Sequence, residues 1–148
     1  MLYETQGDLD REWAFARKIE SHWKLSYKKF SVNRLLDGYL YRHADIYAWV
    51  EIKCRKISSN RYATAIINEN KLRQGLLYST VFGSCRTGQR IPFVFFIRYL
   101  DCDKYIKIEA DKCKDWRIEK MFTASNHADD PKETKNIVHV PIELMKEF

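Results

Sequence analysis

Polar and apolar residues follow different rhythms along this chain, and each rhythm predicts a kind of element. From Asp8 to about Ser26 the apolar residues Phe15, Ala16, Ile19 and Trp23 recur at helical spacing, with Asp8 or Asp10 placed to cap the start. Lys28–Arg42 is rich in Tyr, Phe, Val and Leu and predicts one or two strands, followed by a turn at His43-Ala44. Ile46–Arg55 predicts a further strand, apolar enough to be central, and Lys56–Arg61 a loop. Asn68 is placed to cap a helix running to about Phe82, with Gly83 ending it. Arg90–Tyr99 is the most apolar run and predicts a buried strand. Asp101–Asp103 reads as a turn, and the alternation of Lys104–Ala110 as the return strand of a hairpin. Residues 111–135 are polar and give no clear period. Ile137–Ile142 predicts a short last strand and Glu143–Phe148 a helical stub. The order helix, strands, helix, strands predicts a mixed α/β sandwich, a central sheet flanked by helices.

Composition narrows this picture. The 148 residues are 45% hydrophobic, enough to bury a core without staples. With five glycines, three prolines and no linker or repeat, a single domain is expected over 1–148. No apolar run is long enough to span a bilayer, and the start, Met1-Leu2-Tyr3-Glu4, is not a signal peptide, so a soluble cytoplasmic protein with no membrane partner is expected. The net charge of +6 suits a polyanionic partner without requiring one. Cysteines 54, 85, 102 and 113 form no C-x-x-C pair, which favours free thiols over a zinc site. There is no phosphate-binding G-x-x-x-x-G-K-[ST], no G-x-G-x-x-G and no G-x-S-x-G, so no nucleotide cofactor is expected. The four histidines are scattered and read as surface or packing residues.

The candidate chemistry lies in Trp49-Val50-Glu51-Ile52-Lys53. Side chains alternate along a strand, so Glu51 and Lys53 share one face while Val50 and Ile52 share the other. Charge in so apolar a strand is costly unless it is paired or binds a metal. Asp37 precedes the turn at a distance that lets it lie beside Glu51. Two carboxylates are the hard ligands that Mg²⁺ or Mn²⁺ prefers, and an adjacent lysine can position or deprotonate a water or neutralise a phosphorane. A lone E-x-K on a strand is, by contrast, commonly a surface ion pair. Glu12 falls within about 20° of Ile19 on a helical wheel, near the centre of the apolar stripe. Its other reading is a solvated acid in a first turn. On the second helix Lys71, Gln74 and Tyr78 share a face that either grips a phosphate backbone or is an ordinary wet side.

Together, Asp37-x13-Glu51-x-Lys53, a helix bearing Glu12 before it and a helix bearing Gln74-x-x-x-Tyr78 after it resemble the PD-(D/E)XK nuclease superfamily. Asp45–Arg55 (DIYAWVEIKCR), Lys71 and Val138-His139-Val140-Pro141-Ile142 look most like small phage-encoded members, which would act in a host cytoplasm. The resemblance implies a restriction-endonuclease-like αβββαβ core over about 8–110, with 111–148 as an extension. It implies a Mg²⁺- or Mn²⁺-dependent deoxyribonuclease acting on DNA. Asp37, Glu51 and Glu12 would be metal ligands, with the carbonyl of Ile52 helping. Lys53 would be the catalytic lysine, and Gln74 and Tyr78 would match the Q-x-x-x-Y of the RecB-like branch, near the nucleic acid. Lys71 would join them. Leu36 stands where the family name places a proline. The alternatives are a catalytically silent nucleic-acid-binding or protein-interaction module on the same fold, and a subunit whose 111–148 segment docks a partner, as in a homodimer.

Overall fold

The computed structural model describes residues 5–31, 35–81, 90–123 and 133–148. Helix α1 spans Gln6–Trp23 and starts earlier than Asp8 because Thr5 caps it. The Thr5 hydroxyl accepts the Asp8 N–H at 3.1 Å and the Asp8 carboxylate accepts the Thr5 N–H at 3.2 Å, a reciprocal capping box. The helix stops at Lys24, whose left-handed backbone (φ 55°) turns its N–H onto the Glu20 carbonyl. Ser26 therefore opens a strand instead of ending the helix.

Strand β1 spans Ser26–Lys29, β2 Gly38–Arg42 and β3 Asp45–Cys54, with His43 at φ 55° in the expected tight turn between the last two. Asp37 stands just before β2, not within it as the sequence suggested. Strand β4 (Thr64–Asn68), which the hydrophobic pattern did not announce, leads into α2 (Glu69–Val81). The Asn68 side chain accepts the Asn70 N–H at 2.8 Å, as a cap would. The expected helix end at Phe82-Gly83 lies outside the described residues. Strands β5 (Phe93–Arg98) and β6 (Asp103–Ile108) form the expected hairpin. The polar segment holds a short α3 (Ala110–Cys113), β7 (Ile118–Thr123) and β8 (Glu133–Pro141). The predicted helical stub is replaced by a 3₁₀ turn (Ile142–Leu144) and a short β9 (Lys146–Glu147). Pro141, lacking an N–H, leads into that turn.

Two sheets result. The larger has six strands in the order β1-β2-β3-β5-β6-β9, antiparallel except for the central parallel pair β3–β5. The smaller has the order β4-β8-β7, all antiparallel. The connection between β3 and β5 carries both β4 and α2. Val50, Ile52 and Phe96 pack with Phe15, Ala16 and Ile19 of α1 on one face of the large sheet. Trp49, Phe93, Phe95 and Ile97 pack on the other with Leu72 and Tyr78 of α2 and with Ala65, Ile67, Val138 and Val140 of the small sheet. Strand β3 is covered on both faces, which is why its middle reads as nearly continuous apolar sequence. The segment after Ala110 is thus woven into both sheets, through β8 against β4 and β9 against β6.

Candidate metal centre

Glu51 points into the face covered by α2 and is 1% exposed. Its Oε1 accepts a hydrogen bond from the Lys71 ammonium at 2.8 Å, while its buried Oε2 receives none from the described residues. Lys71 reaches this point because α2 lies very close to the sheet. Gly75 sits one turn further along, where an added Cβ would stand 2.5 Å from the Phe93 ring. A larger residue there would lift the helix and its lysine from the strand.

Asp37 arrives from the other side. Gly38 pairs with both Lys29 and Val50, and a Cβ on it would fall 2.1 Å from the Lys28 carbonyl oxygen, so only glycine allows this approach. Strand β2 begins there and leaves the Ile52 N–H beyond its reach. The Asp37 Oδ2 accepts that N–H at 2.6 Å, and the Asp37 carbonyl accepts the Phe30 N–H at 2.7 Å. The side-chain acceptor replaces a missing ladder bond and fixes the carboxylate beside Glu51.

Burial raises the pKa of both carboxyls, as expected when charge leaves water. Glu51 is pushed up to about 8 by burial and by the Asp37 charge, against the pull of Lys71. Asp37 is raised by burial, against the pull of Lys71 and its bond from Ile52. Lys53 is held down to about 8 by burial and the nearby Arg55, although Glu51 and Asp37 favour its charge. Its Nζ donates a long hydrogen bond of 3.4 Å to the Ile66 carbonyl of β4. For Lys71 burial works against the charge, but Glu51, Asp37 and Glu12 together outweigh it and raise its pKa.

The remaining residues singled out from the sequence divide. Glu12 forms an ion pair with Lys29 at 3.3 Å, with its side chain 16% exposed. Among the described residues no three His, Cys, Asp or Glu side chains stand close enough to hold an ion, so Glu12 does not complete a three-carboxylate cage. Tyr78 is buried in the aromatic core, its ring 5.1 Å from Trp49 and 6.1 Å from Phe30. Lys71 faces Glu51, and Gln74 is half-buried. Sequence reasoning missed Tyr27. Its phenol is buried and its hydroxyl has no hydrogen-bond partner among the described residues. Burial, then Asp37, Glu12 and Glu51, push its pKa upward. A single inward residue in a short strand gives no signal of this; it follows from β1 lying under α1.

Two carboxylates with an orphaned buried oxygen suit one hard divalent ion, whose remaining positions water and substrate oxygens would fill. The buried lysine with a depressed pKa is suited to exchange a proton near neutral pH. Over residues 1–148 the sequence matches the family described as "Phage putative PDDEXK endonuclease". No curated protein and no solved structure matches the chain.

Proposed function

The chain belongs to this phage PDDEXK endonuclease family, and on that premise we propose that it is a Mg²⁺- or Mn²⁺-dependent nuclease that hydrolyses phosphodiester bonds of DNA. The observation that carries the reading is the pairing of Asp37, fixed by the Ile52 amide, with Glu51, whose buried Oε2 receives no hydrogen bond from the described residues. Asp37 and Glu51 would hold the ion, with the Ile52 carbonyl as a further oxygen donor. When bound, the ion supplies a Lewis acid that polarises the phosphodiester and stabilises the developing charge.

The protein's own groups do the rest. Lys53 is proposed to take the proton of the attacking water or to neutralise the phosphorane; its pKa of about 8 leaves both forms present near neutrality. Lys71 holds the Glu51 carboxylate in place and balances its charge. Glu12, through Lys29, is proposed to set the field behind the pair. Gln74 and the net positive charge of +6 favour a DNA backbone nearby.

The test is incubation with supercoiled plasmid and with linear single- and double-stranded DNA, in Mg²⁺, Mn²⁺ or EDTA, beside Glu51→Ala. Metal-dependent cleavage that disappears in the variant is expected. Equal degradation by wild type and variant, or none by wild type under any metal, would overturn the proposal.

A further inference from the structure

The carboxylate pair makes no use of the small sheet, yet that sheet holds a second polar cluster. His139 of β8 lies opposite Ile66 of β4 and is 8% exposed. Its Nδ1 is 2.7 Å from the Thr64 hydroxyl and its Nε2 2.7 Å from the Glu119 carboxylate. The carboxylate can only accept, so this pattern assigns the proton to Nε2 and lets the Thr64 hydroxyl donate to Nδ1. The Arg117 guanidinium lies 3.0 Å from Nε2. The bonds to Thr64 and Glu119, one on each ring nitrogen, fix the orientation of this buried ring, as packing alone would not.

The cluster forms one wall of a cavity of about 550 Å³, within the usual range for small-ligand sites. Ile97 of β5 and Tyr99, just beyond the end of that strand, also line it. Arg55 and Tyr62 also line the cavity, and Tyr62 is 58% exposed. The cavity adjoins the candidate centre. Ile66, one of its wall residues, supplies the carbonyl that receives Lys53, and Ile97 is the β5 partner of Lys53 in the sheet.

We propose that this cavity is a nucleobase subsite, which receives the base of a substrate nucleotide next to the phosphate held at Lys53. This rests on the nuclease reading and narrows it. The apolar walls and the Tyr62 and Tyr99 rings suit a flat heteroaromatic ring. Thr64, Glu119 and Arg117 offer donors and acceptors to its edge, and Arg55 and Arg117 suit the flanking phosphates. A base can enter a cavity between two sheets only when it is out of the duplex stack. The substrate class is therefore single-stranded or locally unpaired DNA.

The test uses the full chain with Glu51→Gln, which keeps DNA intact during measurement. Fluorescence anisotropy would follow binding of a labelled single-stranded oligonucleotide, the same strand with one abasic position scanned along it, and the matching duplex. Single strand is expected to bind tighter than duplex. Tyr62→Ala and Arg117→Ala, both at exposed side chains, are each expected to weaken single-strand binding about tenfold. One abasic position should cause a similar loss, and Tyr62→Ala should add nothing to it. Wild-type affinity in both variants, or equal affinity for duplex and single strand, would overturn the subsite while metal-dependent cleavage left the nuclease reading standing. Failure of wild type to bind or cut any nucleic acid would overturn both.

Discussion

Replacing Glu51 by glutamine is expected to stabilise the metal-free protein at high pH while destroying its activity. The carboxyl's pKa is about 8 in the folded chain against the ordinary 4.5. A group that binds its proton more tightly when folded adds stability in full below its unfolded pKa, and that contribution is lost as pH rises through the folded value. The Glu51 contribution is thus greatest below pH 4.5 and gone above about pH 8. At about 1.36 kcal/mol per unit, the loss amounts to up to about 5 kcal/mol. Glu51 is 1% exposed, so solvent does little to screen it.

Glutamine stands in for the protonated acid at every pH. In urea denaturation with EDTA, wild type and Glu51→Gln should match below about pH 4.5 and separate progressively as pH rises to about 8, the variant being more stable. Asp37, Lys53 and Lys71 also face the site, so the difference between the two proteins, not either curve alone, isolates Glu51. Saturating Mg²⁺ should raise the wild-type curve at alkaline pH, because an ion that binds only the folded form adds stability by mass action, and should do much less for the variant. Parallel curves in EDTA across the whole range would refute the reasoning.

Three further outcomes follow from the same geometry. Lys71→Met removes the cation already seated on Glu51 and should tighten Mn²⁺ binding in calorimetry by about tenfold, or about 1.4 kcal/mol; unchanged affinity would show that Lys71 does not compete with the ion. Asp37→Asn retains an acceptor for the Ile52 N–H and should keep near-wild-type stability. Asp37→Ala leaves that amide unpaired and should lose about 1–3 kcal/mol, both variants losing cleavage; equal melting of the two would count against the proposed role of the 2.6 Å bond. Gly75→Ala forces a methyl toward the Phe93 ring and should cost about 1–3 kcal/mol, read as a lower midpoint of thermal unfolding, and should lift Lys71 away from Glu51.

Helix α1, strand β3 and the β5–β6 hairpin were legible in the sequence because their signals are local. Strand β4 was not. Its residues, Thr64–Asn68, are few and run straight into a helix, and their partner β8 lies far along the chain. The polar stretch after Ala110 hid β7 and the start of β8 because β7 is an edge strand with exposed residues such as Glu119 and Lys120. At the candidate centre, alternation alone placed Glu51 and Lys53 on one face, and the turn at His43 brought Asp37 near. Which residue Lys71 would meet was beyond such reasoning, since it depends on the tight contact between Gly75 and Phe93. Tyr78 looked like part of a polar helical face, but aromatic packing against Trp49 and Phe30 took it into the core.

The pairing of β4 with β8 also bears on how the molecule is made. Asp37, Glu51, Lys53 and Lys71 all precede β8, the strand that pairs with β4, whereas His139 lies within it. Contacts between segments so far apart close slowly, because the loop entropy must be met before any pairing rewards it. A chain still emerging from the ribosome can therefore bring its carboxylates and lysines together before the cleft beside them has its second wall. Assembly is staged by chain order: the chemistry comes first and the enclosure last.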